Sequence, residues 1–166
     1  MDARLIVVRG NSGSGKSSVA EGIRKASSQR VAWIEQDHIR RTVFGELEEP
    51  DGANITAIEQ LADLALSRGF HAIVEGILPT VRYGEMLARL ARRHPGPSYC
   101  YYLDIPFEET VRRHATRLKA AAFDPEAMRD WYRHRDLLTS PTETIIDESS
   151  TLDETVDRIL GESGVR

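Results

Sequence analysis

The feature that most constrains this chain is a short glycine-rich segment near its start. Residues 10–17 read Gly-Asn-Ser-Gly-Ser-Gly-Lys-Ser and match the pattern G-x-x-x-x-G-K-[ST] in full. The apolar run Leu5 to Val8 precedes the segment, and an amphipathic stretch from Lys16 to Ser28 follows it. This order predicts a buried strand, a tight loop and a helix, because glycines let the backbone turn sharply between the two regular elements.

The chemistry of such a loop predicts that it binds a chain of phosphates. Backbone N–H groups turn inward around phosphate oxygens, and the following helix directs its positive end to the same place. In this motif Lys16 would reach the β- and γ-phosphates, and the Ser17 hydroxyl would bind Mg²⁺. The predicted nucleotide-binding residues are Gly10, Asn11, Ser12, Gly13, Ser14, Gly15, Lys16, Ser17 and Ser18. The Asn-Lys-x-Asp motif that recognises guanine does not occur, which favours ATP over GTP.

The rest of the chain alternates between predicted strands and helices. Apolar runs predict strands at 4–9, 31–36, 71–76, 98–104 and 143–147, and apolar stripes predict helices at 16–28, 54–68, 79–93, from 106 onward, at about 125–138 and after 151. Thr56 with Glu59 and Thr151 with Glu154 fit capping boxes, and Gly161 is the expected end of the last helix. The alternation predicts an α/β fold in which helices cover both faces of a parallel sheet.

Composition narrows the class of protein. With 166 residues the chain fits one domain, 1–166. Its 22 Lys and Arg against 26 Asp and Glu, a net charge of -4, make nucleic acid an unlikely main partner. No apolar run approaches a membrane span of about 20 residues. The short N-terminal apolar run does not fit a signal peptide, so a cytoplasmic protein is expected. Cys100 lies in an apolar run, which predicts a buried, inert thiol.

A basic segment follows the fourth predicted strand. Residues 112–135 contain seven Lys and Arg but only three Asp and Glu, in a chain that is acidic overall. Phosphoryl transfer depends on positioning and on stabilisation of developing negative charge, so cations near the transferred group are what the reaction requires. A solvated basic helix face is the alternative interpretation.

Four features together form the pattern of a family. They are the phosphate loop with its flanks, Asp37 after the second strand, Glu75-Gly76 after the third and this basic segment. The chain resembles the nucleoside-monophosphate-kinase-like group of P-loop kinases, which includes adenylate, shikimate and gluconate kinases, chloramphenicol phosphotransferase and the zeta toxins. The resemblance covers nearly the whole chain. It implies a three-layer α/β/α P-loop NTPase fold, a five-stranded parallel sheet of order 2-3-1-4-5 and a short helical lid at about 112–135. It also implies an ATP-dependent kinase that phosphorylates a hydroxyl of a small molecule such as a sugar, a nucleoside or an antibiotic-like metabolite.

The resemblance assigns roles to residues at the ends of the second and third strands. Ligands lie beyond the carboxyl ends of parallel strands. Several kinases of the group have an aspartate at the position of Asp37 that accepts the proton of the substrate hydroxyl, although an N-cap or a ligand to Mg²⁺-bound water is also compatible with it. Glu75 is expected to order such a water or to bind substrate, or else to form a structural pair with Arg40 or Lys16. Arg40, Arg82 and Tyr83 occupy positions where related kinases build the acceptor pocket.

The lid residues are also assigned by resemblance. In adenylate kinase the fourth strand ends at an aspartate, and two arginines lie nine and thirteen residues after it. One stacks on adenine and one meets the phosphates. Counted from Asp104, these positions are Arg113 and Arg117. Arg129 and Arg133 repeat the spacing on the next predicted helix, and Arg129 is expected to contact the substrate.

One departure from the family limits the acceptor. The glycine-proline-arginine stretch of adenylate kinase after the third strand is replaced by Glu75-Gly76-Ile77-Leu78-Pro79-Thr80, which argues against a nucleoside monophosphate. Three other functions remain open: a P-loop ATPase switch, a polynucleotide or tRNA kinase, and a toxin-like kinase of a nucleotide sugar. A monomer and a homodimer are both compatible with the sequence.

Overall fold

A computed structural model describes residues 2–116 and 124–166. Five strands of this part of the chain pair in parallel and form one sheet in the order β2-β3-β1-β4-β5. Their bounds are β1 Leu5–Gly10, β2 Val31–Glu35, β3 His71–Gly76, β4 Ser98–Asp104 and β5 Thr144–Asp147. The predicted parallel sheet and its strand order are confirmed.

Helices cover both faces of the sheet. They are α1 Lys16–Ala26, α2 Gln36–His38, α3 Ala53–Ser67, α4 Thr80–Arg93, α5 Phe107–Ala115, α6 Pro125–Trp131 and α7 Leu152–Ser163, and α2 continues as a π-helical turn, Ile39–Phe44. In β1, Leu5 and Val7 face the core formed with α3 and α4, whereas Ile6 and Val8 face the core formed with α1 and α7. Alternate residues of a strand point to opposite faces, so the uninterrupted apolar run of β1 reflects burial on both sides.

Apart from shifts of one or two residues, three predictions about helix ends are corrected by the structure. The Thr56/Glu59 capping box is wrong, because α3 begins at Ala53. There the Glu46 carboxylate accepts hydrogen bonds from the N–H groups of Ala53 (2.9 Å) and Asn54 (3.1 Å). A residue from the preceding loop therefore caps the helix. The first N–H groups of α3 need no hydrogen-bond acceptor from a side chain of the helix itself.

The last helix confirms one prediction and corrects another. The Thr151/Glu154 capping box is present at the start of α7. The helix continues through Gly161 and ends before Gly164, which has the left-handed φ of 66°. A glycine in that conformation is the usual residue just beyond a helix. Gly161 lies within the last turns of α7, where a Cβ in place of its hydrogen would have no other atom within 4 Å.

The helix predicted at 125–138 is too long. α6 ends at Trp131, and Arg135 adopts a positive φ of 46°. The backbone beyond α6 hydrogen-bonds to the phosphate loop and to a buried arginine of β1, as described below, instead of continuing the helical pattern. Tertiary contacts thus override helix propensity in this segment.

Candidate functional site

The loop between β1 and α1 has the conformation that its glycines predict. Gly13 and Gly15 have φ values of 79° and 103°, a region that side chains disfavour. A Cβ on Gly13 would lie 2.5 Å from the carbonyl oxygen of Thr110 in α5, so this position has no room for a side chain. The Lys16 ammonium donates a 2.8 Å hydrogen bond to the Asn11 carbonyl oxygen across the loop. The loop therefore closes on itself at the positive end of α1.

Glu75 joins this loop to the neighbouring strand. It is the penultimate residue of β3, is fully buried, and pairs in register with Val8 of β1. The Ser17 hydroxyl donates a 2.9 Å hydrogen bond to Glu75 Oε1. Burial raises the pKa of Glu75, and the positive charge of Lys16 opposes that rise. The predicted metal-binding hydroxyl of Ser17 thus lies beside a carboxylate, and oxygen donors of these two kinds are what Mg²⁺ prefers.

Asp37 lies in the first turn after β2. Its side chain is half-exposed, and its Oδ1 pairs with Arg40 at 3.1 Å and with Arg41 at 2.6 Å. The N-cap alternative is wrong, since α2 begins at Gln36 with Glu35 as its N-cap. Arg40 belongs to the π-helical turn, a local widening that is frequent at functional sites. The role of Asp37 as proton acceptor remains a prediction.

The predicted acceptor-pocket residues Arg40, Arg82 and Tyr83 are brought together by a residue that sequence reasoning missed. Glu48, in the loop before α3, pairs with Arg40 Nε at 3.1 Å and with Arg82 at 3.6 Å. The Tyr83 hydroxyl lies 3.1 Å from Glu48 and 2.8 Å from Asn54 Oδ1. Burial, followed by the negative charge of Glu48, raises the pKa of Tyr83. We call Gln36, Arg40, Glu48, Asn54, Arg82 and Tyr83 the acceptor-side cluster.

Among the predicted lid residues, Arg113 contacts the phosphate loop. Its guanidinium donates to the Ser14 carbonyl oxygen at 3.1 Å and to Glu109 at 2.7 Å. Arg112 and Arg113 lower the pKa of Glu109 to about 2. Arg117 lies outside the described residues, so its position is not tested.

Arg129 lies apart from the acceptor-side cluster in the contacts that the structure describes. Its guanidinium sits over the ring of Phe107, 4.2 Å from the centroid, and the same ring packs edge-on against Tyr132. The described part of the predicted lid thus places one arginine against the phosphate loop and another against α5.

A second feature that the sequence did not indicate joins the phosphate loop to the segment after α6. The Asn11 side-chain amide donates to the Arg133 carbonyl oxygen at 2.8 Å and accepts from the Arg133 N–H at 2.8 Å. We call this pair of hydrogen bonds the Asn11–Arg133 clip. The only signal in the sequence is a polar residue at a variable motif position, and such a residue does not identify its partner.

Arg9, next to the loop, forms a third such feature. Its side chain is fully buried and donates to both carboxylate oxygens of Glu143 at 2.9 Å. It also donates to Leu78 O (2.9 Å) and to the backbone and carboxylate of Asp136. Asp136 in turn accepts from the N–H of Thr80, the first residue of α4.

The prediction of a buried Cys100 is confirmed, and burial raises the pKa of its thiol to about 12.

A parallel sheet of order 2-3-1-4-5 with a phosphate-binding loop between β1 and α1 defines this protein as a P-loop domain with the topology of the P-loop kinases. The model of an AAA domain family matches residues 5–148, so the chain belongs to that family. A search of curated protein sequences found no match. No helix in residues 2–116 and 124–166 is long and apolar enough to cross a membrane.

Solved structures of two kinases and of a tunicamycin resistance protein share this fold at low sequence identity. A gluconokinase from Sinorhizobium meliloti 1021 has a TM-score of 0.70 at 21% identity, with 98% of this chain and 93% of that chain covered. The APS kinase CysC of Mycobacterium tuberculosis, in complex with AMPPNP and APS, has a TM-score of 0.70 at 18% identity, with 96% of each chain covered. The tunicamycin resistance protein of Deinococcus radiodurans has a TM-score of 0.69 at 14% identity, with 99% and 97% covered.

Proposed function

We propose that this protein is an ATP-dependent kinase that transfers the γ-phosphoryl group to a hydroxyl of a small molecule. The observation that carries the proposal is the register of three neighbouring strands. Glu75 lies opposite Val8 of β1, which leads into the phosphate loop, and opposite Glu35 of β2, which leads into the acceptor-side cluster. The phosphate loop and the acceptor-side cluster therefore meet at the carboxyl edge of the sheet, where ligands of such folds bind.

ATP is the proposed phosphoryl donor. Residues Gly10 to Ser18 would hold its phosphates, with Lys16 at the β- and γ-phosphates. Ser17 and Glu75 fit Mg²⁺, because a hydroxyl and a carboxylate lie 2.9 Å apart beside the lysine. Bound Mg²⁺ would neutralise charge on the phosphates. The AMPPNP complex of the structurally similar APS kinase supports a nucleotide at this loop.

Asp37 is the proposed proton acceptor. The acceptor hydroxyl oxygen would bond to the γ-phosphorus as the bond to the β,γ-bridging oxygen breaks, and the hydroxyl proton would pass to Asp37 while ADP leaves. The pairs with Arg40 and Arg41 keep this carboxylate next to positive charge, which favours its ionised form, the form that accepts a proton.

Arginines of the proposed lid at about 112–135 would stabilise charge on the transferred group. Arg113 already contacts the loop through Ser14. The Asn11–Arg133 clip fixes the backbone of Arg133 against the loop, and Arg117 follows Arg113 by four residues in the sequence. Arg129, on Phe107, would border the adenosine or the substrate. Closure of such a lid excludes water and thereby limits hydrolysis of ATP.

The acceptor is tested with a panel, since the acceptors of the structurally similar kinases differ. Purified protein is incubated with ATP and Mg²⁺ against sugars, sugar acids, nucleosides, nucleotide sugars, hydroxylated antibiotics and short RNA. ADP release and product mass are followed. A sugar, sugar acid, nucleoside or hydroxylated antibiotic that stimulates ADP release and gains one phosphate supports the proposal.

The same assay separates the alternatives. Equal ADP release in every well would indicate a P-loop ATPase switch. Phosphate transfer to RNA with steep salt dependence would indicate a polynucleotide or tRNA kinase. Transfer to a nucleotide sugar alone would indicate a toxin-like kinase. Each of these results would contradict the proposed class of acceptor.

A further inference from the structure

Four donors of the acceptor-side cluster converge on one carboxylate of the chain itself. Arg40 and Arg82 pair with Glu48 from two sides, and the hydroxyl of Tyr83 lies 3.1 Å from it. The Gln36 amide is 3.5 Å from Glu48 Oε2, the carboxylate oxygen that also pairs with Arg40. Two cations, a phenol and an amide around a single carboxylate form an anion-binding arrangement.

Three of the four donors are held by packing before any ligand arrives. Gln36, Arg40 and Tyr83 are 3%, 8% and 1% exposed. Each belongs to a regular element: Gln36 starts α2, Arg40 lies in the π-helical turn and Tyr83 lies in α4. Donors whose positions are fixed by packing need little further ordering when they bind an anion, which favours binding.

Glu48, by contrast, lies in a loop. Residues 47–49 belong to no helix, strand or turn, and a turn at residues 50–51 follows them before α3 begins. Gly45, with a left-handed φ of 64°, precedes the stretch, and neighbouring Leu47 is 75% exposed. Removal of Glu48 from the cluster would therefore break no secondary structure.

Glu48 also satisfies its donors incompletely. Arg40 Nε is buried and lies 3.1 Å from Glu48, yet its N–H has no hydrogen-bond partner of good geometry among the described residues. The Tyr83 hydroxyl has one proton for two acceptors, Glu48 and Asn54. A buried donor without a good acceptor costs free energy, so a better-placed anion would be preferred over Glu48.

The cluster adjoins the site of transfer. Gln36 packs against Gly76, because a Cβ on that glycine would lie 2.7 Å from the Gln36 Cβ. Gly76 follows Glu75, which contacts Ser17 of the phosphate loop. An acceptor whose anionic group replaced Glu48 would therefore lie next to the phosphate loop and to Asp37.

We propose that Glu48 holds the place of an anionic group, a carboxylate or a phosphate or sulfate, of the phosphoryl acceptor, which displaces Glu48 and binds Arg40, Arg82 and Tyr83. This inference rests on the proposed kinase function for the transfer step. The opposite arrangement is a neutral acceptor whose hydroxyls bind to Glu48 itself. The two arrangements predict opposite effects of removing Glu48. Loss of Glu48 would strengthen binding of an anionic acceptor and weaken binding of a neutral one.

The first experiment uses acceptors that differ by one charged group. Transfer is measured to gluconate against glucitol, and to nucleoside 5′-monophosphates against nucleosides, with the wild-type protein and with Glu48→Ala. We expect the charged member of a pair to be preferred, and the Glu48→Ala variant to have a KM for it roughly three- to tenfold lower, because the competing carboxylate is gone. Arg82→Met should raise that KM by roughly tenfold with little change in kcat. Arg89→Met, in the same helix but paired with Glu59, is the matched control.

A second experiment does not depend on an acceptor. With ADP and Mg²⁺ saturating the phosphate loop, sulfate is titrated while the melting temperature is followed. Sulfate should stabilise Glu48→Ala more than wild type, since ligand binding to the folded state raises its stability. Adding Arg82→Met to Glu48→Ala should remove most of that gain.

Each outcome decides the inference. Equal stabilisation of wild type and Glu48→Ala by sulfate overturns it, as does a preference for the neutral acceptor that is lost in Glu48→Ala. If no compound is phosphorylated but sulfate still distinguishes the two proteins, the kinase proposal fails while the anion site stands.

Discussion

At the scale of single residues, the predicted chemistry rests on Lys16 and Asp37, which occupy different environments. Lys16 is buried at the phosphate loop, whereas Asp37 is half-exposed between two arginines. The buried Lys16 ammonium folds back on the Asn11 carbonyl inside the loop that is predicted to receive phosphates. The two residues are therefore expected to act on different halves of the reaction.

Substitution of these two residues separates binding of ATP from transfer. Lys16→Ala should nearly abolish turnover, because charge on the β- and γ-phosphates is no longer neutralised. Asp37→Asn should leave ATP affinity close to that of the wild type while lowering kcat by roughly 10²–10⁴. Steady-state kinetics with the identified acceptor and titration of ATP binding measure both effects. Transfer at the wild-type rate by Asp37→Asn would show that the proton acceptor lies elsewhere.

At the scale of secondary-structure elements, α5 contacts the phosphate loop through Arg113, which Glu109 of the same helix holds. This carboxylate, in the first turn of α5, pairs with Arg112 and Arg113, and Arg113 contacts Ser14. The pairs hold the pKa of Glu109 down to about 2, from 4.5. A carboxyl group whose pKa is lower in the folded than in the unfolded state stabilises the folded protein at pH values above its unfolded pKa. This contribution to the free energy of unfolding is lost as the pH falls to the folded pKa.

The pH dependence of stability checks this arrangement. The difference in the free energy of unfolding between wild type and Glu109→Gln should be constant above about pH 4.5 and should vanish as the pH falls towards about 2. It should shrink in high salt, because the group is exposed. Urea unfolding across this range measures the difference. A difference independent of pH would mean that the arginines do not hold Glu109 in solution.

The Asn11–Arg133 clip is the second link between elements. Asn11→Ala removes two hydrogen bonds, so the Arg133 N–H loses its acceptor and the Arg133 carbonyl oxygen keeps only the 3.3 Å bond from the Tyr102 hydroxyl. The substitution should therefore lower the free energy of unfolding by about 1–3 kcal/mol. Because the clip positions the segment that bears Arg133, kcat should fall as well. Asn11→Asp keeps the acceptor for the Arg133 N–H but buries a carboxylate oxygen opposite the Arg133 carbonyl oxygen, so it should lower the free energy of unfolding at least as much. An unchanged free energy of unfolding in Asn11→Ala would argue against these hydrogen bonds as a stabilising contact.

At the scale of the whole molecule, Arg9 joins parts of the chain that are far apart in sequence. It connects β1 to Leu78 after β3, to Asp136 and to Glu143 before β5. All of these lie around the phosphate loop. The conformation of the segment between α6 and β5 therefore depends on one buried cation, which explains why the helix predicted to reach residue 138 ends at Trp131.

Removal of that cation should be costly. Arg9→Met leaves the buried Glu143 carboxylate without its partner and should lower the free energy of unfolding by about 3–5 kcal/mol. The exposed pairs of Arg93 with Glu59 and Asp63 make Arg93→Met a control, with an expected loss of about 0–1 kcal/mol. Denaturant unfolding compares the two. Similar losses for both would show that the network does not stabilise the fold.

The sequence by itself determined the features that depend on neighbours along the chain. The phosphate loop, the buried strand before it and the Thr151/Glu154 capping box follow from short patterns, because the residues that form them are close in sequence. The parallel sheet followed from the alternation of such patterns, and its strand order was implied by the resemblance to P-loop kinases.

Only the tertiary structure decided the contacts between distant residues. The cap that Glu46 provides to α3, the hydrogen bonds of Asn11 to Arg133, and the network of Arg9 join segments that no local pattern pairs. The acceptor-side cluster is of the same kind, since Arg40, Glu48 and Tyr83 meet only when the π-helical turn, a loop and α4 pack together. Charge and hydrogen-bonding capacity can be read from a side chain, but its partner depends on packing. The loop was therefore predictable from sequence, whereas the contacts within the acceptor-side cluster were not.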